Sequence, residues 1–129
     1  MSIPQLKTIL VADAVTCTGV LALGLFALTP VAALLGLPLD VVTIGAWICL
    51  AAALPMYLAA AQTVPSIALV RLIALGNLGW VAASFAILVV FGQQMTVIGV
   101  GVVIGQALAV LAFAFLEWKG AAAPRAATA

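Results

Sequence analysis

The residues that could do chemistry in this sequence are a few polar side chains inside long apolar runs. Asp13 is an acid, Arg71 is a base, and Asn77, Trp80 and Gln106 offer hydrogen-bonding groups. If these runs lie in a membrane, each such side chain is costly there and predicts a structural or functional role. These five residues are the candidate intramembrane polar site.

Asp13 and Arg71 are predicted to lie at a similar depth. Asp13 follows Lys7 by six residues and Arg71 follows Pro65 by six, which is about 9 Å of helix. We expect them to form an ion pair or a hydrogen-bonded node between the first and third long helices, with Glu117 nearby. Alternatively, Asp13 is a protonatable site that couples proton movement to a substrate, or is solvated near the interface.

A second set of polar residues is predicted to share one face of the third long helix. Asn77, Trp80 and Ser84 are spaced as neighbours on one helical face, and Gln106 on the last helix falls at a depth comparable to Asn77. The amides could join two helices by hydrogen bonds. Alternatively, Asn77, Trp80 and Gln106 form the floor of a polar pocket.

Several kinds of site are not expected. The chain has no histidine, and Cys17 and Cys49 stand inside apolar runs rather than in a C-x-x-C pair, which argues against a metal centre or a thiol redox motif. Four basic residues are too few for a nucleic-acid footprint. With no second buried carboxylate expected, we predict no catalytic residue, no cofactor and no enzymatic activity.

The composition explains why lipid must surround these residues. The 129 residues are 68% hydrophobic and 5% charged, against about 45–50% and about 25% in soluble proteins. Four segments reach the about 20 apolar residues that a spanning helix needs. Their predicted bounds are Leu6–Leu28, Val41–Ala61, Pro65–Phe91 and Thr96–Trp118. The predicted fold is all-α, a membrane-embedded antiparallel bundle over residues 1–119 with a flexible cytoplasmic tail over 120–129.

A short helix is predicted between the first and second spans. Thr29 could cap it, Pro30 suits its first turn, and Gly36 could end it. It is too short to span, so we expect it to lie in the interface or over the mouth of the bundle.

The charges predict an orientation. Lys7, Arg71, Lys119 and Arg125 fall on one side of the four spans, and the first and third loops carry no Lys or Arg. By the positive-inside rule both termini face the cytoplasm.

Small residues at four-residue spacing predict helix contact faces. Gly101, Gly105 and Ala109 form such a face on the last helix. We expect it to pack within the bundle, and otherwise to mediate a dimer.

Four segments, LKTILVADA, VAALLGLP, GNLGW and GQALAVLAFAFLE, together resemble a group of uncharacterised bacterial four-helix integral membrane proteins. The resemblance covers residues 6–118 and implies a location in the bacterial cytoplasmic membrane, but no activity. Small multidrug transporters also have four helices and an acid in the first, but their acid is a glutamate and their aromatic and glycine pattern is absent here. The points of identity with the bacterial group are Asp13, Gly36, Leu37, Pro38, Asn77, Trp80 and Gln106.

Three functions follow from these features. The favoured one is a structural, accessory or lipid- or partner-binding membrane component that performs no turnover. The alternative is a small transporter or channel that acts as a homo-oligomer and uses Asp13 as its protonatable site. The third is a membrane-embedded enzyme or a binder of a quinone or isoprenoid lipid.

Overall fold

The computed structural model describes residues 1–123, which form five α-helices and no strand. Four of the helices are long and apolar enough to cross a membrane, so the predicted all-α fold with a short helix between the first and second spans is confirmed. The bounds are α1 (Ile3–Phe26), α2 (Leu28–Leu35), α3 (Leu39–Ala61), α4 (Ile67–Phe91) and α5 (Val97–Ala122).

Side-chain caps set where two of the spans begin. α1 begins earlier than predicted because the side chains of Ser2 and Gln5 each accept a hydrogen bond from the other's backbone N–H, an arrangement that satisfies donors left free by the helix start. α4 begins at Ile67, with Ser66 as its N-cap. The predicted start of this span at Pro65 is therefore too early, since Pro65 precedes the N-cap.

The short helix α2 lies across one end of the bundle. It ends at Gly36, whose φ of 71° is the left-handed conformation that glycine adopts without strain. Its N-cap is Ala27, so the prediction that Thr29 caps it is wrong. The Thr96 N–H donates to the Leu35 carbonyl at 3.2 Å, which ties α2 to the start of α5.

The four spans pack as two hairpins, one of α1 and α3 and one of α4 and α5. The hairpins meet along α1 with α5 and along α3 with α4. Small residues allow the close approach within lipid: a Cβ added to Gly24 would lie only 2.6 Å from the Ala46 Cβ. The main buried cluster lies towards the end where α1 begins and α5 ends, and it comprises Leu6, Leu10, Ala14, Met56, Ala59, Val70, Ile73 and Ala121.

The outer surface of the bundle is apolar, as a surface in contact with lipid must be. Phe26 is 91% exposed and Val97 is 90% exposed. Gly101 and Gly105 also lie on this surface with open space around them, so the prediction that their face packs within the bundle is wrong. α5 instead buries a stripe that includes Val103, Ala107, Val110, Ala114 and Glu117.

The last span is longer than predicted. α5 continues to Ala122, into the segment predicted as a tail from residue 120. Gly120 and Ala121 are buried, and a Cβ on Gly120 would lie 2.6 Å from Leu6 Cδ1, so their small size lets α5 pack against the start of α1. The rest of the predicted tail, residues 124–129 with Arg125, lies outside the described residues.

Candidate functional site

Three buried polar side chains from three different spans meet in the bundle. Asn77 on α4 donates through Nδ2 to Asp13 Oδ2 on α1 at 2.6 Å and to Glu117 Oε2 on α5 at 2.9 Å. The exposed fractions of Asp13, Asn77 and Glu117 are 1%, 5% and 0%. One amide group thus links both hairpins, and we call Asp13, Asn77 and Glu117 the acid network.

Two acceptor atoms of the acid network have no hydrogen-bond donor. Asp13 Oδ1 and Glu117 Oε1 are buried and receive no hydrogen bond from a protein donor, which is unusual for buried polar atoms. The two carboxyl groups lie within hydrogen-bonding reach of each other. Because two adjacent carboxylates repel each other, this proximity disfavours ionisation of both groups at once.

A second group of polar residues joins α4 to α5 within one hairpin. Trp80 Nε1–H donates to Gln106 Oε1 at 2.6 Å, and Gln106 Nε2 donates to Ser84 Oγ at 2.8 Å and to the Val103 carbonyl at 2.9 Å. The Ser84 hydroxyl donates to the Trp80 carbonyl at 2.8 Å. Every side-chain donor here has an acceptor, and we call Trp80, Ser84 and Gln106 the amide network.

Both networks border one cavity between the two hairpins. Its volume is about 370 Å³, and all four spans line it. Lining residues on three spans are also exposed on the outer surface: Val20 by 41%, Ile48 by 47% and Leu72 by 63%. Because these positions lie within the spans, the cavity opens sideways at the lipid-facing surface. Its polar lining residues include Asp13, Asn77, Trp80 and Gln106.

The structure therefore brings together four of the five predicted site residues and separates the fifth. Arg71 is exposed, and its guanidinium lies 5.2 Å from the centre of the Trp118 ring. The predicted meeting of Arg71 with Asp13 does not form, since Asn77 takes that place. Six residues separate Arg71 from Asn77, a rotation of about 240° around the helix that directs the two side chains to different faces.

The partner that sequence reasoning underestimated is Glu117. It was expected only near Asp13, and no second buried carboxylate was predicted, yet Glu117 is 0% exposed and shares the Asn77 amide. A signal for it exists in the sequence, because Val110, Ala114 and Glu117 are spaced as one helical face and that face is the buried one.

Two further features border the cavity. Cys17 on α1 and Cys49 on α3 are free thiols within hydrogen-bonding reach of each other. Pro55 within α3 has no N–H, so the Ala51 carbonyl, one turn earlier, lacks its helical donor. Within residues 1–123 no three His, Cys, Asp or Glu side chains lie close enough together to hold a metal ion.

Comparison of the chain with models of known protein families, with curated proteins and with solved structures finds no match.

Proposed function

We propose that this protein is a small membrane component without catalytic turnover that binds a lipid-like amphiphile between its two hairpins. The observation that carries the proposal is the cavity, which all four spans line and which opens at the lipid-facing surface. Mostly apolar walls with a few convergent polar groups are the usual composition of a small-molecule site. A ligand could enter from the bilayer without passing the end that α2 covers.

The lack of turnover is supported by the residue types available. The chain has no histidine, and the amide of Asn77 donates to both carboxyl groups of the acid network. A nucleophile activated by an adjacent base, as covalent catalysis needs, is not among the hydrogen bonds that border the cavity. We therefore expect the bound amphiphile to be recovered chemically unchanged.

Two glycines on α4 give a matched test. Gly76 lines the cavity, whereas Gly79 does not, and a Cβ at either position meets no atom within 4 Å. Native mass spectrometry of the protein extracted gently from its own membrane should detect a bound amphiphile. Gly76→Leu should remove that adduct by filling the cavity, and Gly79→Leu should keep it.

Either of two results would contradict the binding proposal. One is a wild-type protein that carries no small molecule under conditions that preserve bound lipid. The other is equal occupancy in the Gly76→Leu and Gly79→Leu variants, since a ligand indifferent to a blocked cavity must lie on the outer surface.

A second candidate function is proton-coupled transport by a homo-oligomer with Asp13 as the protonatable group. It is favoured by one observation, that Asp13, one member of a buried carboxyl pair, lines the cavity between the hairpins. In proteoliposomes with an internal pH dye, Asp13→Asn should then abolish proton flux, whereas Asp40→Asn, on the exposed first turn of α3, should not. Equal flux from the two variants would remove this candidate.

We also propose that the chain belongs to the bacterial cytoplasmic membrane, with both termini in the cytoplasm. The support is the distribution of Lys and Arg, since Lys7, Arg71 and Lys119 belong to the end of the bundle where α1 begins and α5 ends. A reporter that is active only in the cytoplasm should work when fused after residue 129, and an inactive fusion would reverse the assignment.

A further inference from the structure

Around the cavity, the side-chain N–H and hydroxyl donors are used within the protein, whereas some acceptors are not. Asn77 uses its amide group on the two acids, and Trp80 uses its indole N–H on Gln106. Gln106 uses its own amide on Ser84 and Val103. The hydroxyl of Thr16, which also lines the cavity, donates to the Ala12 carbonyl.

Acceptors, by contrast, are left over. Asp13 lines the cavity, is 1% exposed, and keeps Oδ1 without a donor. Glu117 does not line the cavity but accepts from the same Asn77 amide, and its Oε1 also has no donor. Ala51 also lines the cavity, and its carbonyl lacks the N–H that Pro55 cannot supply.

The charges around the cavity also favour a cation as the ligand. When one carboxyl group of the Asp13–Glu117 pair is ionised, the pair carries one negative charge. Among residues 1–123 no cation pairs with it, since Arg71 lies over Trp118 and Asn77 is neutral. An uncompensated buried charge is costly, so a cation placed beside Asp13 would be stabilised strongly.

From these observations we infer that the cavity takes a lipophilic amine in its ammonium form, with the N–H groups directed at Asp13 and the alkyl chain along the apolar walls. This inference rests on the proposed function and specifies the head group of its ligand. A primary alkylamine is protonated near neutral pH, as the lysine side chain is. The indole ring of Trp80, which lines the same cavity, adds a group that attracts cations.

The same arrangement disfavours other lipid head groups. Phosphate and carboxylate heads bring negative charge and need donors, and a quinone head offers only acceptors. The side-chain N–H and hydroxyl groups of Asn77, Trp80, Gln106 and Thr16 are already engaged. Such a ligand would have to break one of these hydrogen bonds before it could form its own.

Three probes of equal chain length separate the head-group chemistries: decylammonium, decanol and decyl sulfate. Each is titrated onto the full-length protein in phosphatidylcholine nanodiscs, and the signal of empty nanodiscs is subtracted. We expect decylammonium to bind at least about tenfold more tightly than decanol, because a charge-assisted hydrogen bond replaces a neutral one. Decyl sulfate should give no specific binding.

Two substitutions with the same change of charge locate the effect. Asp13→Asn should lower the affinity for decylammonium to that for decanol, whereas Asp40→Asn, at an exposed position outside the cavity, should leave it unchanged. Gly76→Leu should weaken the binding of every probe, and Gly79→Leu of none. If Asp13→Asn does not fold, the probe series on the wild-type protein together with the glycine pair still decides the question.

The outcomes distinguish this inference from the function on which it rests. Decanol or decyl sulfate binding as tightly as decylammonium, with Gly76→Leu still blocking all three, overturns the ammonium assignment and leaves the cavity as a binding site. An equal loss in Asp13→Asn and Asp40→Asn assigns the preference to attraction at the bilayer surface and also overturns it. No probe binding that depends on Gly76 overturns the ligand-binding function itself.

Discussion

The acid network and the amide network lie within one turn of each other on α4, yet they differ in what they connect and in how completely they are satisfied. The amide network joins α4 to α5 inside one hairpin and leaves no side-chain donor unused. The acid network joins α1 to α4 and α5 across the two hairpins, and it leaves Asp13 Oδ1 and Glu117 Oε1 without a donor.

This difference separates two uses of polar groups in lipid. A closed set of hydrogen bonds within a hairpin holds two helices together and has little left to offer a ligand. A network that leaves buried acceptors without donors beside a cavity carries a free-energy cost, and a cationic ligand that donates hydrogen bonds to these acceptors would lower it. The two networks can therefore be told apart by how much stability each contributes and by whether a ligand changes it.

The largest effect is expected from Asn77→Leu, which removes the donor that serves both acids. The carboxyl groups of Asp13 and Glu117 would remain buried with no amide between them, and the free energy of unfolding should fall by about 3 kcal/mol. Reversible unfolding in a detergent or bicelle, compared with the wild-type protein, measures the loss.

A rescue experiment identifies the cause of that loss. Adding Asp13→Leu and Glu117→Met to Asn77→Leu replaces the whole acid network by apolar groups, which is often neutral or stabilising for buried charges. Most of the lost stability should return. A triple variant as unstable as Asn77→Leu alone would assign the loss to packing, and the contrast between the two networks would then have no electrostatic basis.

Much of the fold was predictable because lipid imposes simple rules of length and punctuation. The apolar runs gave the four spans, and Gly36 gave the end of α2. The errors lie at the helix ends, where Ser2 and Ser66 cap α1 and α4 and a hydropathy pattern carries no information about caps. Such starts require the local hydrogen-bonding residues to be considered individually.

Most residues of the site were predictable, but neither the level at which Asp13 is paired nor the direction of each side chain around its helix was, since Asn77 rather than Arg71 meets Asp13. Counting residues placed Asp13, Asn77 and Gln106 correctly enough that all three line one cavity. Spans surrounded by lipid are apolar on every side, so no amphipathic stripe marks the face that turns inward. For that reason Arg71 was predicted to meet Asp13 inside the bundle although it is exposed, and Glu117 was not predicted to be buried although it is.

A smaller effect is expected when the amide network is disturbed. Gln106→Leu leaves the Trp80 N–H without its acceptor, and the loss of stability should be about 1 kcal/mol. A double-mutant cycle of Trp80→Phe with Gln106→Leu should give a coupling of about 0.6 kcal/mol, and at most about 1.7 kcal/mol. A loss equal to that of Asn77→Leu would erase the distinction between a closed network and an open one.

The smallest effect is expected from Arg71→Ala, which tests whether the acid network draws on a cation. Arg71 is exposed and stacks over Trp118, so its removal should cost about 0.5–1 kcal/mol, as exposed cation–π contacts do. Combined with Asp13→Asn, the two losses should add, because the side chains share no partner. A coupling above about 1 kcal/mol would mean that Arg71 stabilises the Asp13 carboxylate after all. The acid network would then not need a cationic ligand, because the protein would already supply the charge.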